Sequence, residues 1–252
     1  ATGDTSLARF NRIARLALGT WAESTSTETP AATMCAQPFA GQTSASLMQQ
    51  VADAEGTPVF IGPDGVPVWQ ARGERTATAA SVSIPATHVD SSTGFDTNDQ
   101  LVLNSATYSR PGGSTVTFVD TTSADDYGLV SAPRTLYVDT DAQLSSAAAR
   151  IVNSRSEPQT RTGALSVDLV TADATVPAST LLPLDIGDVL SVTSVPLGST
   201  TTVDVFIEGV NDYINQNAWR RTWNTSPLRA GGQVWILGDP TYSILGLTTI
   251  AG

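Results

Sequence analysis

The chain has 252 residues, 40% of them hydrophobic, a formal net charge of −11 and an isoelectric point near 4.3. This length suits one large domain or two modest ones, and no apolar run approaches the ~20 residues that a membrane-spanning helix needs. All thirteen basic residues are arginine, and the acidic balance argues against specific nucleic-acid binding, because phosphate contacts need a basic face. A single cysteine excludes an internal disulfide, and a single histidine restricts any histidine-based site to one residue.

Three segments carry apolar side chains at the spacing of an α-helix. The predicted helices are residues 4–18, 44–55 and 139–155. The first two are followed at once by a glycine, which is a frequent helix stop. Directly after the second helix, Pro63-Asp64-Gly65 separates two short β-prone runs, so a hairpin is predicted there.

The first predicted helix also carries three arginines along one stripe, Arg9, Arg12 and Arg15. Two interpretations stay open for this stripe. It is either a solvated helix face or a contact surface for an acidic partner.

Beyond residue 99 the alternation of side chains is typical of β-strands. Predicted strands begin at Leu101 and continue with residues 115–119, 135–138, 163–170, 189–195, 203–210 and 218–223, with one helical turn at 123–128. The fold class is therefore α+β, a helix-helix-hairpin domain followed by an antiparallel β-barrel with one inserted helix. The domain boundaries are 1–75 for the first domain, 76–98 for a linker or surface crossing, 99–228 for the barrel and 229–252 for a C-terminal docking tail.

Asp185 and Asp188 are the most enzyme-like residues, since a carboxylate pair can hydrolyse a glycosidic bond. They flank Ile186-Gly187 immediately before a predicted strand. That spacing favours a tight turn in which Asp185 acts as a cap. A hydrolase that acts on cell-wall glycan through Asp185 or Asp188 is kept as one functional hypothesis.

Four polar residues could supply oxygen ligands to calcium. They are Asp90, Asp96, Asn98 and Asp99. The run lacks the glycine and the terminal glutamate of an EF-hand loop, so a solvated loop is favoured.

Cys35 and His88 could form a thiolate dyad, but both lie in weakly periodic regions without a recognisable catalytic motif. Asp125-Asp126 is assigned to a short helical turn, and Asn224 begins a glycosylation sequon that is interpreted as chance. We predict no catalytic, cofactor-binding or metal-binding residue and no cofactor.

Aromatic side chains are concentrated near the C-terminus of the sequence. They are Tyr213, Trp219, Trp223, Trp235 and Tyr242. Such residues stack on sugars, anchor protein interfaces or fill a core, and the pattern favours the core.

The order of these motifs resembles the minor tail proteins of long-tailed bacteriophages, in particular the tail-tip or baseplate-hub proteins of siphophages that infect actinobacteria. The segments that carry the resemblance are residues 98–119, the turn at 110–113, Tyr127-Gly128 before 134–136, 184–189, 205–210 and 237–242, together with the two N-terminal helices and the hairpin.

This resemblance implies a non-enzymatic structural protein of the virion tail tip. It implies subunits that form a ring, usually a trimer, which closes or extends the tail tube. The implied partners are a distal tail or tube protein, the tape measure and further tip proteins. Hubs of this family usually begin with a barrel that precedes the helical part, and this sequence lacks such a barrel. The alternative function is a receptor-binding or carbohydrate-binding tail module.

Overall fold

The computed structural model describes residues 3–19, 23–24, 29–62, 64–72, 80–171, 176–197 and 199–228. It has a mixed α+β fold with two separate hydrophobic cores. None of the helices in these ranges is long and apolar enough to cross a membrane.

Side-chain caps start four of the helices. Thr5, Thr43, Asp120 and Thr140 each accept a hydrogen bond from the backbone N–H three residues later, which satisfies a donor that the helix leaves unpaired. Gly56 ends the second helix with a φ of +75°, a conformation that other residues adopt only at a cost. The helices are α1 (Ser6–Leu18), α2 (Ser44–Glu55), α3 (Thr121–Tyr127), α4 (Asp141–Asn153) and α5 (Ala178–Leu181).

The strands form one five-stranded sheet, one three-stranded sheet and three two-stranded ladders. They are β1 (Asp4–Thr5), β2 (Thr33–Met34), β3 (Val59–Ile61), β4 (Pro67–Trp69), β5 (Val82–Pro85), β6 (Asp96–Asn98), β7 (Ser105–Ser109), β8 (Thr115–Val119), β9 (Ser131–Thr135), β10 (Gln159–Arg161), β11 (Ala164–Asp168), β12 (Val189–Leu197), β13 (Ser199–Ile214) and β14 (Trp219–Pro227).

The first core joins the N-terminal helices to a sheet from the middle of the chain. Its strands have the order β8-β7-β9, with β7 and β9 parallel. Phe10 of α1, Val51 of α2, Ala106 of β7 and Leu144 of α4 are all fully buried in this one cluster. Burial of these side chains therefore ties residues 1–75 to the segment around α4.

The second core lies against the five-stranded sheet, which has the order β11-β14-β13-β12-β5. Three of the four neighbouring pairs are antiparallel, and β5 pairs with β12 in parallel. The sheet curls into half of a barrel, and its inner face buries Leu165, Leu190, Ile207 and Trp223.

The α+β class is confirmed, but a closed antiparallel barrel with an inserted helix is not what the described residues form. The helix predicted at 139–155 is α4, and it packs on β7 and β8 in the first core. The segment 76–98 contains β5 and β6, which pair with β12 and β10. The predicted strands are therefore divided between two cores. The sequence could not predict this division, because alternation indicates that a side chain is buried but not in which core.

Candidate functional site

Asp185 and Asp188 form a turn between α5 and β12. The Asp188 carboxylate accepts a hydrogen bond from the Asp185 N–H at 2.9 Å, and the Asp185 carboxylate accepts one from the Ile186 N–H at 2.7 Å. Gly187 has a φ of +98° and donates its N–H to the carbonyl of Ile207. Both carboxylates thus stabilise the backbone of the turn, as the sequence predicts for Asp185.

Cys35 and His88 occupy different surroundings. Cys35 is buried beside the first core, and burial raises the pKa of its thiol above the usual value. His88 lies on the 3-10 turn Ala86–His88, which contacts β12 of the second sheet. A buried thiol with a raised pKa is a poor nucleophile, and among the described contacts none joins Cys35 to His88.

The acidic run proposed for calcium is divided between a loop and a strand. Asp90 accepts hydrogen bonds from the N–H and hydroxyl of Ser92, and these bonds, with Arg220 at 3.1 Å, lower its pKa against a smaller opposing effect of burial. Asp96 pairs with Arg161 at 3.9 Å. Within the described ranges, no three histidine, cysteine, aspartate or glutamate side chains lie close enough to hold a metal ion.

Asp125, Asp126 and Asn224 are exposed. The two aspartates lie in the second half of α3, whose cap is Asp120. Asn224 lies within β14 and pairs with β11 and β13 on either side.

The arginine stripe of α1 binds carboxylates of its own chain. Arg9 is fully buried, where it donates to Asp4 at 3.1 Å and to the Cys35 carbonyl at 3.1 Å. Arg12 also donates to Asp4, and Arg15 pairs with Glu23 at 3.5 Å. The solvated-face interpretation is therefore wrong for Arg9, which stabilises the start of the fold.

A cavity of about 180 Å³ lies between α2 and α4. Alanines form half of its lining, and Arg72 is the one charged side chain among the lining residues. Arg72 donates to the carbonyls of Glu55 at 3.1 Å and Ala54 at 3.3 Å. Because these are unpaired carbonyls at the end of α2, Arg72 caps a helix.

The C-terminal aromatics divide between core and surface. Trp223 is fully buried in the second core, Trp219 is half-buried, and Tyr213 is exposed. Trp235 and Tyr242 lie outside the described residues. The core interpretation therefore fits Trp223, and a surface role is open to Tyr213.

β13 extends beyond β12, whereas β14 at this level is still paired with β11 on its other side. The last β12 partner of β13 is Phe206, whereas β14 pairs with β13 as far as Ile214. We call the segment of β13 from 208 to 214 with its β14 partner strand the arm. Along the edge of the arm that faces away from β14, residues 209–214 belong to no further strand pair among the described residues.

Arg221 links the arm to the end of α5. Its guanidinium donates to both carboxylate oxygens of Asp212, at 2.8 and 2.6 Å, and to the carbonyls of Leu181 at 3.2 Å and Leu182 at 2.8 Å. These hydrogen bonds from Arg221 lower the pKa of Asp212, against the opposing effect of burial, and raise the pKa of Arg221. A bidentate arginine–carboxylate pair of this kind sets orientation as well as charge.

Three large side chains of the arm are exposed to solvent. Val210, Tyr213 and Ile214 are 36%, 61% and 64% exposed; Val210 and Ile214 lie on one face of β13 and Tyr213 on the other. Trp219, opposite Ile214 in the register, donates its indole N–H to Asp212 at 3.3 Å. The arm is thus positioned by polar contacts, while these apolar side chains stay exposed to solvent.

Sequence reasoning did not identify the Asp212–Arg221 pair. The signal was present, because Trp219, Arg221 and Trp223 alternate at a spacing of two, which places the arginine on the face of both tryptophans. An inward arginine on a strand requires a carboxylate or carbonyl partner, and Asp212 across the turn is the nearest acid in sequence.

No protein-family model matches the sequence, and no curated protein is similar to it. The structure is similar to the tail protein from Neisseria meningitidis MC58, with a TM-score of 0.56 and 14% identity, over 89% of this chain and 66% of that one. It is also similar to the 43 kDa tail protein of prophage MuSo2 from Shewanella oneidensis, with a TM-score of 0.57 and 12% identity, over 90% of this chain and 70% of that one. This chain therefore shares the fold of these tail proteins, one of which is a prophage protein.

Proposed function

We propose that the chain is a structural component of a bacteriophage tail tip or baseplate hub, where its copies assemble into a ring that closes or extends the tail tube. The observation that carries the proposal is the fold, which matches two tail proteins over about nine tenths of this chain. The order of motifs in the sequence supports the same assignment independently of the structure.

The assembly that we propose is a homotrimer in the virion. Its partners are a distal tail or tube protein, the tape measure and further tip proteins of a siphophage, of the kind that infects actinobacteria. The half-barrel of each copy leaves strand edges that neighbours can complete, so the closed barrel predicted from the sequence would arise only in the assembly.

The role is structural rather than catalytic. The most enzyme-like carboxylates, Asp185 and Asp188, are hydrogen-bonded to the backbone of their own turn. An Asp188→Asn variant tests the rival hydrolase hypothesis, because loss of cell-wall turnover in that variant would require a catalytic role for Asp188.

The alternative, a carbohydrate-binding tail module, needs exposed rings on which a sugar can stack. Trp223 is fully buried, so among the described aromatics the hypothesis rests on Tyr213 and the half-buried Trp219. Tyr213→Ala separates the two functions. Loss of glycan binding with unchanged assembly favours the module, and unchanged glycan behaviour with weakened assembly favours the hub.

The direct test is to locate the chain in the particle. An epitope-tagged copy is labelled on intact virions, and electron microscopy should place the label at the tail tip. Purified chain should also capture a tube or distal tail protein and sediment at three times its 26.2 kDa mass. Label on the head, or along the whole tube wall, would overturn the proposal.

A further inference from the structure

Three arginines of the first core meet around one tyrosine hydroxyl. Arg134 of β9 is the register partner of Tyr108 on β7, so the two side chains lie next to each other on one face of the sheet. Arg150 lies near the end of α4, and Arg155 follows this helix. Burial raises the pKa of the Tyr108 hydroxyl, and the charges of all three arginines oppose this rise. We call these arginines the arginine cluster.

The guanidinium groups of the arginine cluster have few acceptors in their own chain. Arg134 lies 3.8 Å from Asp53 and its side chain is 59% exposed, which makes a weak ion pair. Among the described residues, the guanidinium groups of Arg150 and Arg155 have neither a hydrogen bond nor a salt bridge, and Nη1 of Arg150 is buried without a partner. A buried donor that lacks an acceptor is costly, and more so when it is charged.

Tyr108 adds a further donor to the cluster. Its side chain packs in the first core and is 5% exposed. A buried tyrosine hydroxyl usually has a hydrogen-bond partner, but this hydroxyl bonds to no residue in the ranges that the structure describes. The cluster therefore combines a tyrosine O–H with several guanidinium N–H groups, and these donors need an oxygen acceptor.

The neighbouring carboxylates do not supply that acceptor. Asp53 acts on Tyr108 only through its charge. Glu55 is fully buried, and its Oε1 accepts hydrogen bonds from the Ser6 hydroxyl and the Ala32 N–H, at the opposite end of the fold's N-terminal unit from β9 in sequence. Glu157, the acid that follows the cluster in the chain, accepts a hydrogen bond from Tyr127 at 3.4 Å.

Positive charge is in excess at this place. Burial lowers the pKa of Arg150 to about 10, and the charge of Arg72 lowers it further, whereas Glu55 opposes both effects. The pKa of Arg155 is lowered by desolvation and then by the charge of Arg134. Like charges that repel each other in this way are stabilised when an anion lies between them. The excess is local, because the whole chain has a net charge of −11.

We propose that Tyr108 and the arginine cluster form a binding site for an oxyanion group, a phosphate or a carboxylate. The oxygens of such a group accept hydrogen bonds from guanidinium and hydroxyl donors, and its charge offsets the local excess of positive charge. Arg134 and Arg155 are exposed, so the group can belong to a free ion or to an acidic side chain of another protein. The site is a property of the first core and does not depend on the proposed tail function.

Two probes test the site and distinguish these sources. The full chain is titrated in a calorimeter with inorganic phosphate and, separately, with a short peptide of glutamates, with chloride added to keep the ionic strength constant. We expect saturable binding with one site per chain and a rise in melting temperature that chloride alone does not give. Tighter binding of phosphate assigns the site to a free ion, and tighter binding of the peptide assigns it to a partner protein. Absence of saturable binding of both probes would overturn the proposal.

Three variants locate the binding. Arg150→Met removes an unpaired charge at nearly constant volume, so without a probe the variant should be at least as stable as the natural chain, but it should bind the preferred probe about tenfold more weakly. Tyr108→Phe keeps the ring and removes only the hydroxyl, and it should weaken binding about threefold or more.

Arg220→Met is the matched control, because Arg220 is a 55% exposed arginine of the second core's sheet. This variant should bind the probe as the natural chain does. Equal affinities of the natural chain, Arg150→Met and Tyr108→Phe would show that the anion binds elsewhere, and the proposed site would then be wrong.

Discussion

Replacing Arg221 with methionine should destabilise the second core and the arm together. Arg221 makes four hydrogen bonds, two to Asp212 and one each to the carbonyls of Leu181 and Leu182. Methionine retains most of the packing but leaves all four acceptors without this donor. Hydrogen bonds to charged groups contribute about 1.5–3 kcal/mol each when a partner is lost from a buried position.

The expected loss is smaller than the sum of those contributions. The Asp212 side chain is 28% exposed and keeps its bond from Trp219, so water can replace part of what Arg221 supplied. The two carbonyls at the end of α5 are the groups that lose most. We therefore expect Arg221→Met to lower the free energy of unfolding by about 2–3 kcal/mol.

The adjacent residue provides a matched control. Arg220 pairs with Asp90 at 3.1 Å, but its side chain is 55% exposed, and an exposed ion pair contributes about 0–1 kcal/mol. Urea unfolding of both variants, followed by circular dichroism, should separate Arg221→Met from Arg220→Met by about 2 kcal/mol. A separation below about 0.5 kcal/mol would refute the claim that burial makes the Arg221 contacts important.

The same pair predicts a dependence on pH. The pKa of Asp212 is lowered in the folded chain, chiefly by its hydrogen bond from Arg221, so its contribution to stability is complete above the unfolded aspartate pKa of about 3.9. That contribution is lost as the pH falls below this value through the folded pKa. Asp212→Asn should therefore flatten the part of the stability profile that lies below about pH 4, and an unchanged slope there would contradict the assignment.

Three further predictions concern other parts of the molecule. Gly56→Ala should lower the free energy of unfolding by at least the ~1–2 kcal/mol that an alanine in the left-handed region costs. The loss should exceed that of Gly112→Ala, because a Cβ at Gly56 would overlap the Arg150 guanidinium, whereas a Cβ at Gly112 meets nothing within 4 Å; equal losses in thermal unfolding would argue against that overlap. In chemical denaturation, Trp223→Ala should lower the free energy of unfolding by about 3–5 kcal/mol, and Tyr213→Ala should lower it by less than about 0.5 kcal/mol. The reverse order would contradict the burial of Trp223 and the exposure of Tyr213. Cys35 should react with a thiol reagent at least tenfold more slowly in the folded chain than in denaturant, since burial raises its pKa, and rapid labelling without denaturant would show that the thiol is accessible.

The helices were predictable from the sequence because their information is local. The predicted range 44–55 coincides with α2, and α1 begins two residues later than predicted because Thr5 is the cap. α4 occupies 141–153 within the predicted 139–155 because Thr140 caps it. Helical spacing, a capping side chain and a terminal glycine all lie within a few residues of one another, so each boundary is determined by its immediate neighbours.

The arrangement of the strands was less predictable, since it depends on distant residues. β5 is short and partly polar, and it is recognisable as a strand only through its parallel pairing with β12 about one hundred residues later. The strand expected at 135–138 lies instead at 131–135, where β9 pairs in parallel with β7. Alternation cannot identify the partner of a strand, so it could not divide these strands between two cores.

The site was predictable only in part. Asp185 and Asp188 lie at a turn, as their spacing suggested. The burial of Arg9 could not be predicted, because arginines at helical spacing form the same sequence pattern in three situations. They can be solvated, pair with carboxylates of another protein, or pair with a carboxylate of the preceding strand. Asp4 supplies that partner from β1.

The parallel pair of β5 and β12 has a consequence for synthesis of the chain. The first core draws on residues 10–71 and 106–152, and the second on 82–95 and 165–223, so each core is interrupted in sequence by part of the other. When α1 and α2 have left the ribosome, the strands β7, β8 and β9 on which they pack have not yet been synthesised. When β5 has left it, the other four strands of its sheet have not yet been synthesised. Neither core can therefore form early and independently during synthesis. Both cores need contacts between residues that are far apart in the sequence, so folding should be slow and should finish late.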